Sequence, residues 1–237
     1  MSNDKPSIFI TGGTGNLGTV LQRLAPCIAP AAVELDITEA QQCAQFVERH
    51  DPKIIIHAAA YTDVAGAEKN REACWKVNVE GTRNMVRAAA GRRFVYISTE
   101  YVFDGEKGMY IEEDVPNPVN FYSLTKLLGE AIVAQYPNTL IIRTAFKPDG
   151  PWKYPKAFAD QWMSAELVSN MAPDILQASR MEDLLGVIHV SGTRKTVYDL
   201  ARQASPDVGK MSRADVPVVL PRDTSLDSSQ WHKIKKQ

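Results

Sequence analysis

A short apolar run, Ser7-Ile8-Phe9-Ile10-Thr11, ends in Gly12-Gly13-Thr14-Gly15-Asn16-Leu17-Gly18 and passes at once into a segment with Leu17, Val20, Leu21 and Leu24 at helical spacing. No other feature narrows the fold so far. Glycines three apart between a buried strand and a helix permit a tight turn. They also let backbone N–H groups approach a pyrophosphate and let the helix pack close on the strand. The first turn of the helix adds its partial positive charge.

The rest of the chain repeats the alternation. Apolar runs at residues 53–60, 93–98, 139–144 and 187–190 read as strands, and the amphipathic segments 16–25, 39–50, 69–90, 121–135 and 197–204 as helices. Val33-Glu34-Leu35 reads as a brief additional strand, with Thr38 as N-cap of the helix that follows. Alternation without hairpin signals predicts an α/β fold, a doubly wound parallel sheet of Rossmann type with right-handed crossovers. From Phe146 to Pro155 the sequence turns rich in Pro, Gly and aromatics, which marks an excursion from the sheet. Residues 1–145 are therefore expected to form the dinucleotide-binding domain. Residues 146–237 are expected to form a small C-terminal substrate-binding lobe, built from 157–177 and 206–237, with 186–204 returning to the sheet.

Composition excludes several classes. At 237 residues, with 44% hydrophobic and 23% charged side chains, the chain can bury a sizeable core. A formal charge of −1 gives no footprint for nucleic acid or an anionic membrane. Lys233, Lys235 and Lys236 read as a solvated helix end. The segment Ser2-Asn3-Asp4-Lys5-Pro6 has no leader pattern, and the longest apolar stretch, Ile54 to Ala60, is far short of the roughly 20 residues a membrane helix needs. Cys27, Cys43 and Cys74 lack paired spacing and read as reduced thiols of a cytoplasmic protein. The four His residues show no metal-ligand spacing.

Chemistry points to Tyr122-Ser123-Leu124-Thr125-Lys126, with Ser98-Thr99 upstream at the end of a predicted strand. Tyrosine and lysine four apart share one helical face. A phenol is a poor acid near neutrality, and an ammonium one turn away favours its ionised form. Thr99 can donate to the same substrate oxygen that Tyr122 protonates, and Lys126 is then free for the ribose hydroxyls of a nicotinamide. Tyr-x-x-x-Lys alone is a weak motif. Its order after the glycine turn and the Ser-Thr pair makes it informative. Asp36 reads either as a helix-entry residue or as a hydrogen-bond acceptor for an adenine amine. No charged residue follows the second strand at the usual distance, so NADP(H) or NAD(H) both stay open, with a lean to NADP(H).

The chain resembles the extended short-chain dehydrogenases/reductases, and within them the dTDP-4-dehydrorhamnose reductase-like subgroup. The resemblance rests on Thr11 to Gly18, His57 to Asp63, Val77 to Thr82, Ser98 to Gly105, Tyr122 to Glu130 and Arg143-Thr144. Fainter echoes lie at Gly186 to Val190 and Thr224 to Ser229. It implies Thr99, Tyr122 and Lys126 as catalytic groups. It implies Gly12, Gly15, Asn16, Leu17 and Gly18 around the pyrophosphate, Asp36 and Ile37 near adenine, and Ala58, Ala59, Ala60 and Tyr61 along the cofactor. Asn78 would brace the active-site backbone, and Glu100, Tyr101, Val102 and Phe146 would face a nucleotide-sugar substrate. The activity implied is NAD(P)H-dependent reduction of a 4-keto-6-deoxy sugar nucleotide, and a homodimer is the expectation by analogy.

The chain departs from the subgroup at Glu100, where aspartate is usual, at Phe146, where tryptophan is usual, and in a shortened lobe that retains Trp152 and Trp162. Two other activities stay open. One is an epimerase or dehydratase, for which His57, Glu100 and Asp104 are the acid–base candidates. The other is a non-catalytic cofactor-binding regulatory subunit, which the short lobe favours.

Overall fold

Ile8 and Ile10 face one layer of helices while Phe9 between them faces another, and every strand of the main sheet repeats this division. In the computed structural model, which describes residues 7–236, the sheet runs β1 (Ile8–Thr11), β2 (Ile54–His57), β3 (Arg93–Thr99), β4 (Thr139–Thr144) and β9 (Gly186–His189) in that spatial order. All its pairings are parallel, with Ile8 opposite Ile54, Ile54 opposite Arg93, Phe94 opposite Thr139 and Leu140 opposite Gly186. Strands covered on both faces need no polar side, hence the uninterrupted Ile-rich runs.

On one face lie α1 (Asn16–Leu24), α7 (Val168–Arg180) and the C-terminal α9 (Ser229–Ile234), whose Trp231 is fully buried against the sheet. On the other face α2 (Ala40–His50), α5 (Thr82–Ala89) and α6 (Phe121–Val133) supply Cys43, Val47, Met85, Val86 and Val133. Helices α7 and α9, read from sequence as lobe, thus belong to the sheet's helical layer. The segment Ser2 to Pro6 lies outside the described residues.

The expected strand at Val33-Glu34-Leu35 does not form. Those residues turn, with Val33 fully in solvent, and only Ile28 bridges the free edge of β1 through Phe9. Glu34 N and Leu35 N both donate to Ala31 O, at 2.9 and 3.1 Å, and this turn takes the strand's place.

The single helix expected over 69–90 is instead α3 (Val64–Lys69), α4 (Arg71–Trp75), a π turn (Lys76–Gly81) and α5. Asn70 interrupts it with non-helical backbone, and the π turn widens the coil. Widening lets Asn78 point inward. It also lets Gly81 sit against Ile37, where a Cβ would come within 2.7 Å of Ile37 Cδ1.

Short strands build the lobe: β5 (Phe146–Lys147) with β8 (Glu166–Leu167), β6 (Lys156–Phe158) with β11 (Gly209–Met211), and β7 (Trp162–Met163) with β10 (Lys195–Thr196). Helix α8 (Val197–Ala204) opens with a capping box of Thr196 and Asp199 and closes the lobe's small core of Ala157, Met163, Leu200 and Val208. No helix among the described residues is long and apolar enough to cross a membrane.

Candidate active site

The glycine turn joins β1 to α1 as the sequence predicts. Gly12 has φ +73°, a conformation that favours glycine, and a Cβ there would come within 2.9 Å of Ala59 backbone. A Cβ on Gly18 would come within 2.3 Å of the Gly12 carbonyl oxygen. Two side chains of α1 hold the turn: Gln22 Nε2 donates to Gly13 O at 2.7 Å and Thr19 Oγ1 to Gly15 O at 2.8 Å. Gly15 caps α1 without a side-chain bond, and the first turn carries no acid. The N–H groups of Asn16, Leu17 and Gly18 therefore have no intrahelical acceptor and sit at the positive end of the helix. This donor set fits a pyrophosphate, and Ala58, Ala59, Ala60 and Tyr61 lie half-buried past the end of the neighbouring strand β2.

Asp36 is exposed, and its Oδ1 accepts from Thr38 N at 2.9 Å and Thr38 Oγ1 at 2.8 Å. Thr38 therefore does not cap α2. Glu39 occupies that position without a side-chain bond. The side chains of Ile37 and Leu17 are buried in the core, so what they present to a cofactor is backbone.

Thr99, at the end of β3, has its hydroxyl near enough to the Tyr122 phenol on α6 to favour the phenolate, while its Oγ1 accepts from Tyr101 N at 3.2 Å. Burial pushes the Tyr122 phenol up to about 12, against the lowering effect of that hydroxyl. Lys126, on the same helical face, is buried too. Its Nζ donates to Ile97 O at 2.8 Å and stands 4.1 Å over the Tyr96 ring. Burial brings Lys126 down to about 7, opposed by the field of the Glu130 carboxylate. The structure thus brings phenol and alcohol together and sets the ammonium one helical turn on, against β3. Lys126, expected to favour ionisation of the phenol, is not among the groups that shift it: desolvation raises it and the Thr99 hydroxyl lowers it.

Around this trio lies a polar frame. Asn78 accepts from Tyr61 N at 2.8 Å and donates to Tyr61 O at 3.2 Å and Thr125 Oγ1 at 2.9 Å, tying the segment after β2 to α6. His57 is fully buried between Thr11 Oγ1 at 2.8 Å and Thr82 Oγ1 at 3.1 Å, and burial holds its ring down to about 3. Thr82 donates to Asn78 O, so the Nε2–H tautomer of His57 completes the chain.

Three parts of the frame escaped the sequence reading. Glu68 accepts the N–H of Phe121 at 2.8 Å, pinning the start of α6 beside Tyr122. Arg143 on β4 grips Glu130 through Nε at 3.1 Å and Nη2 at 2.9 Å, and Ser98 donates to the same carboxylate at 2.5 Å. The spacing of Lys126 and Glu130, four apart on one helix, was the available signal.

On the lobe side the expectations fare unevenly. Phe146 is half-buried in β5, just past β4, and Tyr101 is half-buried with its hydroxyl accepting from Gln161 at 2.9 Å. Val102 does not face the cleft. It is sealed with Phe103, Tyr110 and Leu226, because the turn after Thr99 rolls its side chain inward. Glu100 is buried as well, its Oε2 accepting from Ser164 N at 3.2 Å, and desolvation raises it to about 8. A glutamate is long enough to span to the lobe backbone, so Glu100 is a strut between β3 and the lobe. Asp104 is engaged by Tyr110 at 2.5 Å and by Glu106 N. Of the three acid–base candidates for epimerisation or dehydration, His57 and Asp104 are internally bonded, while Glu100 keeps its Oε1 buried without a hydrogen-bond partner among the described residues. Trp162 lies 3.9 Å under the Arg194 guanidinium.

The sequence pattern of the RmlD substrate binding domain matches residues 6–149. The dTDP-4-dehydrorhamnose reductase of Mycobacterium tuberculosis (strain ATCC 25618 / H37Rv) is 35% identical over 271 aligned positions, covering 98% of this chain and 88% of the relative. Two solved structures superpose closely. A hypothetical dTDP-4-dehydrorhamnose reductase from Sulfolobus tokodaii gives a TM-score of 0.85 at 35% identity, covering 96% of this chain and 94% of that one. The dTDP-4-dehydrorhamnose reductase of Bacillus anthracis in complex with NADP gives 0.89 at 28% identity, covering 98% and 93%. On sequence and structure alike, the chain belongs to the dTDP-4-dehydrorhamnose reductase family of extended short-chain dehydrogenases/reductases.

Proposed function

We propose that this protein reduces the 4-keto group of a 6-deoxy sugar nucleotide, with Tyr122 as proton donor. One observation carries the reading: the Thr99 hydroxyl and the Tyr122 phenol neighbour each other at the carboxyl end of β3, on the sheet edge that also carries the glycine cradle. The bound dinucleotide, NADP(H) or NAD(H), supplies the hydride to C4. Gly12, Gly15, Asn16, Leu17 and Gly18 hold its pyrophosphate through backbone, Asp36 and Ile37 border the adenine, Ala58 to Tyr61 line its length, and Tyr122 and Lys126 stand at the nicotinamide end.

Burial keeps the phenol protonated at neutral pH, so the proton is present when the sugar oxygen gains charge. Thr99 donates to that same oxygen and fixes its distance from Tyr122. Phe146 and Tyr101 border the sugar. Three free thiols, Cys27, Cys43 and Cys74, suit the reducing cytoplasm, and two copies are expected to pair as a homodimer.

Purified protein, NADPH or NADH and a panel of dTDP-4-keto-6-deoxy sugars test this by loss of reduced-nicotinamide absorbance. Tyr122→Phe should abolish turnover with dinucleotide affinity nearly unchanged. Retained turnover would remove Tyr122 from the role. Tight dinucleotide binding by the unaltered protein with no turnover on any sugar would favour the regulatory-subunit reading instead.

A further inference from the structure

Tyrosine is an unusual choice in the middle of a strand sealed on both sides. Tyr96 has no solvent exposure, and burial holds its phenol well above the usual range. Its hydroxyl donates to the backbone oxygen of Lys126 at 3.3 Å and has the Thr82 hydroxyl nearby. Gly129 is what admits it to α6, since a Cβ there would stand 2.2 Å from the Tyr96 oxygen. On one side of the ring is the Lys126 ammonium, 4.1 Å from the centroid; the His57 ring stacks on Tyr96 with centroids 5.9 Å apart. Leucine or phenylalanine would fill a β-strand core with less polar surface to desolvate.

We propose that Tyr96 is a positioning residue for Lys126, its ring face and the Ile97 carbonyl together holding the ammonium charged and in place inside a buried wall. The proposal rests on the reading of Lys126 as a group of the reductase site. A buried ammonium loses hydration, and the negative face of an aromatic ring replaces part of it. Nζ has one hydrogen bond, to Ile97 O, and the ring supplies the electrostatic surface beneath it.

The charged and titratable groups around Nζ are few. Glu130 on α6 stabilises the charge, while Cys74 on α4 and Tyr122 one turn back on α6 are both raised by burial and stay neutral where Lys126 titrates. His57 on β2 is neutral and itself depressed by Lys126. Glu130 is already committed to Arg143 and Ser98, so it cannot swing to Lys126 if the ring is lost. With the ring gone, the ammonium would give up its proton more readily.

The test uses the full chain labelled with ¹⁵N-lysine and follows the Lys126 side-chain resonance against pH by NMR, the resonance being assigned by its loss in Lys126→Met. Tyr96→Phe, which keeps the ring, should leave the midpoint unchanged. Tyr96→Leu should lower it by about one pH unit. Should Tyr96→Leu fail to fold, phenylalanines with increasing ring fluorination at position 96 keep the shape and weaken the ring face, and the midpoint should fall stepwise with fluorine number. The basic limb of the kcat profile should move by the same amount. Identical midpoints for Tyr96→Phe and either Tyr96→Leu or the fluorinated rings would overturn the proposal. Turnover that survives Lys126→Met would instead refute the role of Lys126 in the reaction, while the titration would still decide whether Tyr96 holds its charge.

Discussion

Acid stability gives a sharp test of the buried frame, because groups shifted in opposite senses compete within one pH window. Burial lowers His57 to about 3 and His189 to about 4. Each histidine is neutral in the fold, so its contribution is complete above the unfolded value near 6.5 and is lost as pH falls below it. Glu100, raised to about 8, works the other way. The fold keeps its carboxyl protonated where the unfolded chain has lost the proton, so its contribution grows as pH falls from about 8 toward 4.5.

From about pH 6.5 to about pH 5, each histidine removes roughly 1.6 kcal/mol and Glu100 adds roughly 1.9 kcal/mol, at 1.36 kcal/mol per unit. These three groups together should cost the parent protein about 1.3 kcal/mol across the window. His57→Gln, whose amide can accept from Thr11 and donate to Thr82, should be nearly flat. Glu100→Gln should lose about 3 kcal/mol. Glu112, also raised by burial, acts in the same sense as Glu100 and is common to all three proteins. Urea unfolding followed by tryptophan fluorescence at several pH values measures each slope. Parallel slopes for the parent and His57→Gln would show that His57 is charged or solvated in the fold and would refute the reasoning.

Two further predictions concern the scaffold. Arg143→Met leaves the Glu130 carboxylate buried without its partner and should cost about 3–5 kcal/mol in urea unfolding, most of it recovered when Glu130→Leu is added. Gly18→Ala drives a Cβ against the Gly12 carbonyl and should weaken NADPH binding by about tenfold or more in a fluorescence titration, roughly 1.4 kcal/mol. Unchanged affinity would mean that the turn can open without harm.

What the sequence determined by itself is the periodic part of the molecule. Runs such as Ile54-Ile55-Ile56 and Thr139-Leu140-Ile141-Ile142 are apolar on both sides, and that fixes them as covered parallel strands wherever they lie in space. The glycine turn and the Tyr122–Lys126 spacing are equally local, because one needs a particular backbone and the other a single helical face.

The rest depends on partners far along the chain. Thr38 looked like a cap until Asp36 took its hydroxyl, and Asn78 looked like an ordinary helical residue until a π turn aimed it at Tyr61 and Thr125. Val102 and Glu100 read as cleft residues, but a tight turn after β3 buries one and the lobe backbone at Ser164 claims the other. Protonation was decided last of all. Whether Tyr122, Lys126 and His57 carry charge follows from how much water the closed sheet and helices exclude, a property that no spacing of residues encodes.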